Sequence, residues 1–524
     1  MQLNIPLPRV QQYMKNGRII MARIVIVGGG VAGLSAGIYS LMDGHSVTVC
    51  EQHHTAGGNL TGWQRGEYHI DNCIHWLTGT NKATDTYKMW TELGVLGDVD
   101  IIKNDTLYTC ELDGKRVSLY RDLDKTQQNM LGISPEDERE ISHFIRAVKR
   151  VQGYCGIAGK YNDEASSTSK KLFSAPSMLK YYALTTGQLA ARFKSRHLQY
   201  FISAMMGDDF GALALICVFA TFCGQNGDLP EGGSLKMAQR MAVRFKSLGG
   251  DLILGTAVEK VNIEGDRAHS VTLAGGTKLY ADYVILTADP ASTFGKIIDA
   301  PMPRWLEKQY SSPRLERFSS YHCAFACDVE KPPFDADLMF PISKKHRKLL
   351  RTDSLTLREF SHEKGFAPKG KCVIQSMTFC KESDARAFIR LRCENREAYK
   401  AKKQRIAAAV EHLTVAKFPQ LAGKLHLIDV WTPATYRRFT HAQMGAYMSF
   451  AMPSFCLPRA QSNRIKGLKN VLLATQWQQL PGGLPTAAAM GKKAAQSVSE
   501  LENLAQRSYK AQAGQKQAQQ IIKG

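Results

Sequence analysis

The 524-residue chain has no apolar run long enough to cross a bilayer, which takes about 20 residues. Its most apolar stretch, Phe210 to Cys223, is stopped on its amino-terminal side by Asp208-Asp209 and suits a buried helix or a cavity wall. The 12 cysteines include no CxxC pair and no zinc-like cluster. No metal site is therefore expected, and the thiols read as reduced and mostly buried in a cytoplasmic protein. Residues 1–20 lack the apolar core of a signal peptide, which argues against secretion, and the folded part is expected to begin near Met21. Acidic residues are also in short supply, 47 against 68 basic ones, for a net charge of +21. Such an excess suits nucleic acid, an anionic membrane surface or a plain basic protein. The basic residues are spread out and no nucleic-acid module accompanies them, so no nucleic-acid partner is expected. Two clusters do mix basic with apolar residues, as a peripheral membrane face does. They are Lys344 to Arg351 and the region from Lys170 to Arg196, with Lys171, Lys180, Arg192 and Lys194. A plain solvated helix face is the favoured reading of both.

What the chain does have begins at Ile24-Val25-Ile26-Val27, followed by Gly28-Gly29-Gly30-Val31-Ala32-Gly33 and a helical pattern through Met42. Strand, glycine turn and helix in that order make a phosphate site. Gly28 permits the tight turn, Gly30 lets backbone approach a pyrophosphate, and Gly33 lets the helix pack on the strand. Val31 and Ala32 then open the helix, whose N–H groups face the phosphates. Gly44 ends the helix, Ser46 to Cys50 reads as the next strand, and Glu51 stands where a carboxylate binds ribose hydroxyls, with Gln52 beside it.

The following stretch, His53-His54-Thr55-Ala56-Gly57-Gly58-Asn59, resembles the FAD-dependent amine oxidase and phytoene desaturase superfamily, in which a second Gly-Gly follows the ribose acid. The resemblance implies an α/β fold: a Rossmann-like FAD-binding domain of glutathione reductase type, with an inserted α+β substrate domain. It implies FAD as cofactor, with Gly57, Gly58 and Asn59 near its phosphates and ribitol, although the family often carries a basic residue at the Asn59 position. A strand is expected over Thr61 to Asp71, and Cys73 stands where the family's pattern has Gly. His75, in a segment that the family places near cofactor and substrate entrance, is a candidate proton donor or substrate contact. A histidine hydrogen-bonded in a packed loop is the competing reading.

Later blocks repeat the likeness. Asp228 to Ser234 shows dinucleotide-type chemistry again, before a helix from Leu235 to Leu248, and Val258 matches the family's adenine contact. A helix is expected from Glu394 to Phe418. The rings of Trp431, Tyr436 and Tyr447 either line a cavity beside the flavin or pack in the core. The last block is a strand at Val471 to Ala474, then Thr475 in place of the family's Gly. Trp477 follows as a second catalytic candidate, and then Gly482-Gly483-Leu484-Pro485-Thr486 opens a helix whose N-terminus is aimed at the flavin ring. The implied division is an N-terminal extension 1–20, FAD-binding parts 21–104, 225–300 and 455–505, substrate-domain parts 105–224 and 301–454, and a polar tail 506–524.

There is no second GxGxxG-type unit for a nicotinamide and no CxxxxC after the first turn. Nicotinamide and disulfide reductases are therefore disfavoured. The resemblance points to an enzyme exchanging hydride between flavin N5 and C–C bonds of a long apolar, carotenoid-, retinoid- or lipid-like molecule. Re-oxidation would be by a quinone or oxygen, at a peripheral membrane surface or in the cytoplasm. The alternatives are a flavin amine oxidase, which wants an aromatic cage and a lysine near N5, and a non-catalytic escort protein for lipid-bearing partners. Escort proteins tend to lose the phosphate-binding glycines that are all present here.

Overall fold

The computed structural model describes residues 13–15, 18–20, 22–152, 176–335, 337–457 and 459–523, so that Met21 and Lys171 lie outside the described residues. The strand Arg23–Val27 is apolar on both faces, as a parallel strand covered on two sides must be. Ile24 and Ile26 pack into one core and Val25 and Val27 into another. Around it lies a five-stranded parallel sheet in the order Asp251–Ile253, Ser46–Cys50, Arg23–Val27, Tyr283–Leu286, Val471–Leu473. One face carries the helices Val31–Met42, Gly233–Ser247 and Leu484–Lys523. The other carries an antiparallel meander of Val258–Glu264, Arg267–Leu273 and Lys278–Tyr280. Burying each large aliphatic side chain in these layers contributes about 1.5–3 kcal/mol.

A second, seven-stranded mixed sheet runs Lys115–Tyr120, Thr106–Leu112, Asp337–Pro341, Ser354–Glu359, Cys372–Cys380, Ser319–Cys327, Leu425–Trp431. Its parallel pairing of Thr106–Leu112 with Asp337–Pro341 joins two blocks far apart in sequence. Helices Glu382–Glu394 and Arg396–Lys417 back part of this sheet, and a helical layer including Glu138–Val151, Arg196–Ala204 and Ala212–Cys223 backs the rest. No helix among the described residues is long and apolar enough to cross a membrane. The helix Lys344–Leu350 exposes Lys344, Lys345, Arg347 and Lys348 and buries only Leu350.

Three expectations about elements need correction. The single strand over Thr61 to Asp71 is a hairpin, Gly62–Arg65 against Tyr68–Asp71, because Gly66 turns the chain at φ 59°. The helix expected from Glu394 is Arg396–Lys417, since Asn395 breaks the run and caps its start, accepting from the Ala398 N–H; Glu382–Glu394 is a separate helix. Dinucleotide-type chemistry does not return at Asp228 to Ser234. That helix start is filled by the Asp71 carboxylate, which accepts from the Ser234 N–H and Oγ at 2.6 Å each.

Candidate active site

The site starts at the end of the first strand. The Gly28 N–H donates to Cys50 O at 2.9 Å, and Gly28 adopts φ 106° where a Cβ would meet Thr287 Oγ1 at 2.5 Å. The Gly57 N–H donates to Gly29 O at 2.8 Å, which staples the two glycine turns together. The helix Val31–Met42 has Gly30 at its start, no side-chain cap and no acid in its first turn. Its N–H groups and positive dipole end are thus left for an anion. Glu51 is buried beside them, accepting from the Gly29 N–H at 2.8 Å and the His53 N–H at 3.0 Å.

A second helix start closes the other end. Thr475, at the family's Gly position, caps a short turn by accepting from the Trp477 N–H at 2.9 Å, while its own N–H donates to Gln478 Oε1 at 2.8 Å. Gln476 then ties down the glycine pair, with Oε1 accepting from the Gly483 N–H at 2.8 Å. Leu484 opens the long helix with no acid in its first turn.

These turns line one cavity of about 430 Å³. Of the residues expected to hold a cofactor, it is lined by Gly28, Gly30, Val31, Ala32, Glu51, Gln52, Gly57, Gly58, Asn59, Val258, Gly482, Gly483, Leu484 and Pro485. Gly33 and Thr486 are not in its lining. A Cβ on Gly33 would sit 1.9 Å from Gly28 O, so this glycine serves helix-to-turn packing, and the fully buried Thr486 donates to Pro481 O at 3.3 Å.

The same cavity is also lined by the apolar side chains of Met205, Met206, Phe210, Val218, Met377 and Phe379, here called its inner branch. The apolar stretch Phe210 to Cys223 is therefore both a buried helix and part of this wall. Trp431 and Tyr436 are core residues outside the lining: His322 stacks on Trp431 at 4.6 Å, and the Trp431 Nε1–H donates to the Tyr436 hydroxyl. Tyr447 does line the cavity. Trp477 reaches the lining too, but its ring is wedged against Tyr310 and Phe450, a packing position with no titratable group.

His75 lies at the inner branch, its Nδ1 3.2 Å from Asp337 Oδ2. Arg358 holds Asp337 with two bonds, Nε to Oδ1 at 2.6 Å and Nη2 to Oδ2 at 2.9 Å. Burial would raise the Asp337 carboxyl, but Arg358 and His75 outweigh it and hold it down to about 2. Burial lowers His75 below the usual histidine value, Arg358 adds to this, and Asp337 opposes it. Asp337 and Arg358 were invisible to motif reading, because each is an ordinary strand residue that only sheet pairing brings to His75. The clasp in which the Gln52 amide and the His53 ring both meet Phe439 O has no motif either, since it joins a loop to a helix far away in sequence.

The geometry fits a flavin dinucleotide: a glycine cradle, a ribose-side acid and two helix starts with no acid in their first turns share one cavity. Asn59 Oδ1 is buried in its wall with no partner among the described residues. This defines the class, a dinucleotide-binding oxidoreductase fold. The sequence profile described as flavin containing amine oxidoreductase matches residues 31–499, and the chain belongs to that family, with FAD as its cofactor. It is similar to the neurosporene-forming phytoene desaturase of Rhodobacter capsulatus, 24% identical over 56% of this chain and 58% of that protein, so that match spans little more than half the relative. The chloroplastic prolycopene isomerase of Arabidopsis thaliana is 22% identical over 84% of this chain and 76% of its own length. Among solved structures, an oxidoreductase from Methanosarcina mazei superposes with a TM-score of 0.58 at 15% identity, covering 91% of this chain and 100% of that one, which establishes the fold.

Proposed function

We propose that the chain exchanges hydride at C–C bonds of a long apolar substrate of carotenoid, retinoid or lipid type. The inner branch carries this reading. It shares one cavity with the Gly482 turn, is walled by methionines and phenylalanines, and no lysine or arginine is among the described residues lining the cavity. Its carboxylate, Asp337, is already neutralised by Arg358. The other lining carboxylates are engaged as well: Glu51 by two backbone N–H groups, and Asp289 by the Ala291 and Gln443 N–H groups and the Tyr310 hydroxyl. An ammonium ion beside Asp337 would be desolvated where the counter-charge is already taken by Arg358, whereas a hydrocarbon gains about 25 cal/mol for each Å² it buries. Two relatives named for carotene reactions support the same choice.

FAD, when bound, supplies two-electron chemistry. The chain's own residues orient and enclose: Gly28 to Ala32 and Gly57-Gly58 would take the pyrophosphate, Glu51 the ribose, Val258 the adenine, and the Leu484 helix start the ring. Re-oxidation by a quinone or oxygen belongs to the proposal, as does an anionic membrane surface met by the exposed Lys344–Leu350 helix. The amine oxidase alternative loses ground because Trp431 and Tyr436 face the core and the described lining offers no lysine. A non-catalytic escort role is disfavoured by the intact glycine turns.

Met377→Trp, which fills the inner branch, tests the reading. The expected outcome is full FAD content with conversion of phytoene or prolycopene lost. Unchanged conversion would place the substrate elsewhere.

A further inference from the structure

Resting on the reading just given, we propose that His75 is the proton-transfer residue of the inner cavity, and that its unprotonated Nε2 takes the proton when a C–C bond is dehydrogenated. The balance is simple. One substrate carbon gives up a hydride to the oxidised flavin, the two-electron acceptor the family uses. The neighbouring C–H bond breaks, its electron pair becomes the second C–C bond, and the proton forms a bond to Nε2. In the opposite direction the same nitrogen returns it.

Three features of the site converge on this role. First, the tautomer is set. Asp337 is an ionised carboxylate and can only accept, so the contact at 3.2 Å requires a proton on Nδ1 and leaves the lone pair on Nε2. Nε2 has no protein hydrogen-bond partner among the described residues, and the imidazole lines the inner branch. Second, the dyad is held rigidly. Arg358 grips Asp337 with two bonds and also donates to the carbonyls of Ile74 at 2.9 Å and His75 at 3.0 Å, fixing both the carboxylate and the backbone that carries the imidazole. Asp337 and Arg358 are therefore positioning residues.

Third, His75 also lines a second, small cavity of about 10 Å³, with Asp71, His322, Arg358 and Gln375. That is about the volume one water molecule requires beside the imidazole. Gln375 Nε2 is buried there without a partner among the described residues. The groups facing the imidazole are Asp337, Arg358, Asp71 and His322. Burial, then Arg358, keep it neutral against the two carboxylates. Other titratable groups near the branch hold their protons: burial and Asp71 push the Cys73 thiol up to about 12, and burial raises the Tyr447 phenol.

The test uses the FAD-loaded full chain with ¹⁵N-labelled histidine. His75→Gln assigns the His75 resonances and serves as the activity variant, and Asp337→Asn, which permits either tautomer, is the second. The expected result is a neutral His75 with Nδ1 protonated at pH 7, a preference lost in Asp337→Asn. With phytoene as probe, His75→Gln should lower the conversion rate about 100-fold or more, the low end of acid–base contributions, and remove the acid limb of the pH profile at unchanged FAD content. An imidazolium or Nε2-protonated ring at pH 7 would overturn the proposal, and so would a His75→Gln rate and pH profile matching the parent. If the parent protein leaves phytoene untouched, the substrate reading fails separately, and the imidazole signals alone decide the case of His75.

Discussion

Asp337 is 5% exposed, between a guanidinium and an imidazole, and its energetics follow from that enclosure. Removing the cation with Arg358→Met strands a buried carboxylate, and the expected loss is about 3–5 kcal/mol, read from the urea midpoint at neutral pH. Adding Asp337→Leu should recover most of it, since the stranded charge is what costs. Acid should act on the same pair. Because the folded state holds Asp337 down to about 2, its contribution is complete above the ordinary carboxylate value and is lost as pH falls toward 2. His75 has the same sign. Its folded value lies below 6.5, so the unfolded chain binds the proton first and stability falls as pH drops below 6.5. Urea midpoints between neutral and acid pH should therefore decline in the parent protein, and decline less in a His75→Gln background. At this scale the sequence made the glycines and Glu51 legible, because a phosphate turn demands fixed residue types at fixed spacing. Asp337 and Arg358 carry no such signature. Gly33 and Thr486, which lie outside the cavity lining, hold packing positions within the same motifs.

Among the elements, the crossing of Val31–Met42 by Leu484–Lys523 positions both helix starts. Gly491 makes it close: a Cβ there would lie 2.4 Å from Ala32 O and 2.7 Å from Ser35 Cβ, and the Ser35 Oγ already donates to Ala488 O at 2.7 Å. Gly491→Val should force the helices apart, at a cost of about 1–3 kcal/mol of overpacking, with weakened FAD retention measured by flavin absorbance after gel filtration. The parallel strands and their helices were legible because continuous apolar runs and glycine stops mark them. The hairpin at Gly66 and the break at Asn395 were not, because one turn residue inside an otherwise periodic run changes the element without changing the pattern.

On the scale of the whole molecule, two sheets divide the work. The parallel sheet brings the Gly28 turn, Glu51 and the Gly482 turn to one cavity, and the seven-stranded sheet supplies Asp337, Met377 and Phe379 to its inner end. The FAD-binding fold could be read from three separated motifs. The shape and polarity of the inner branch could not, since its wall combines a helix near Val218 with strands that start more than a hundred residues later. The measurement that bears most directly on this arrangement is the absorption spectrum of phytoene or prolycopene incubated anaerobically with the FAD-loaded protein, first with oxidised and then with reduced flavin. A carotene spectrum that shifts in at least one state is the predicted result. A carotene unchanged in both states, with putrescine bleaching the oxidised flavin instead, would contradict it.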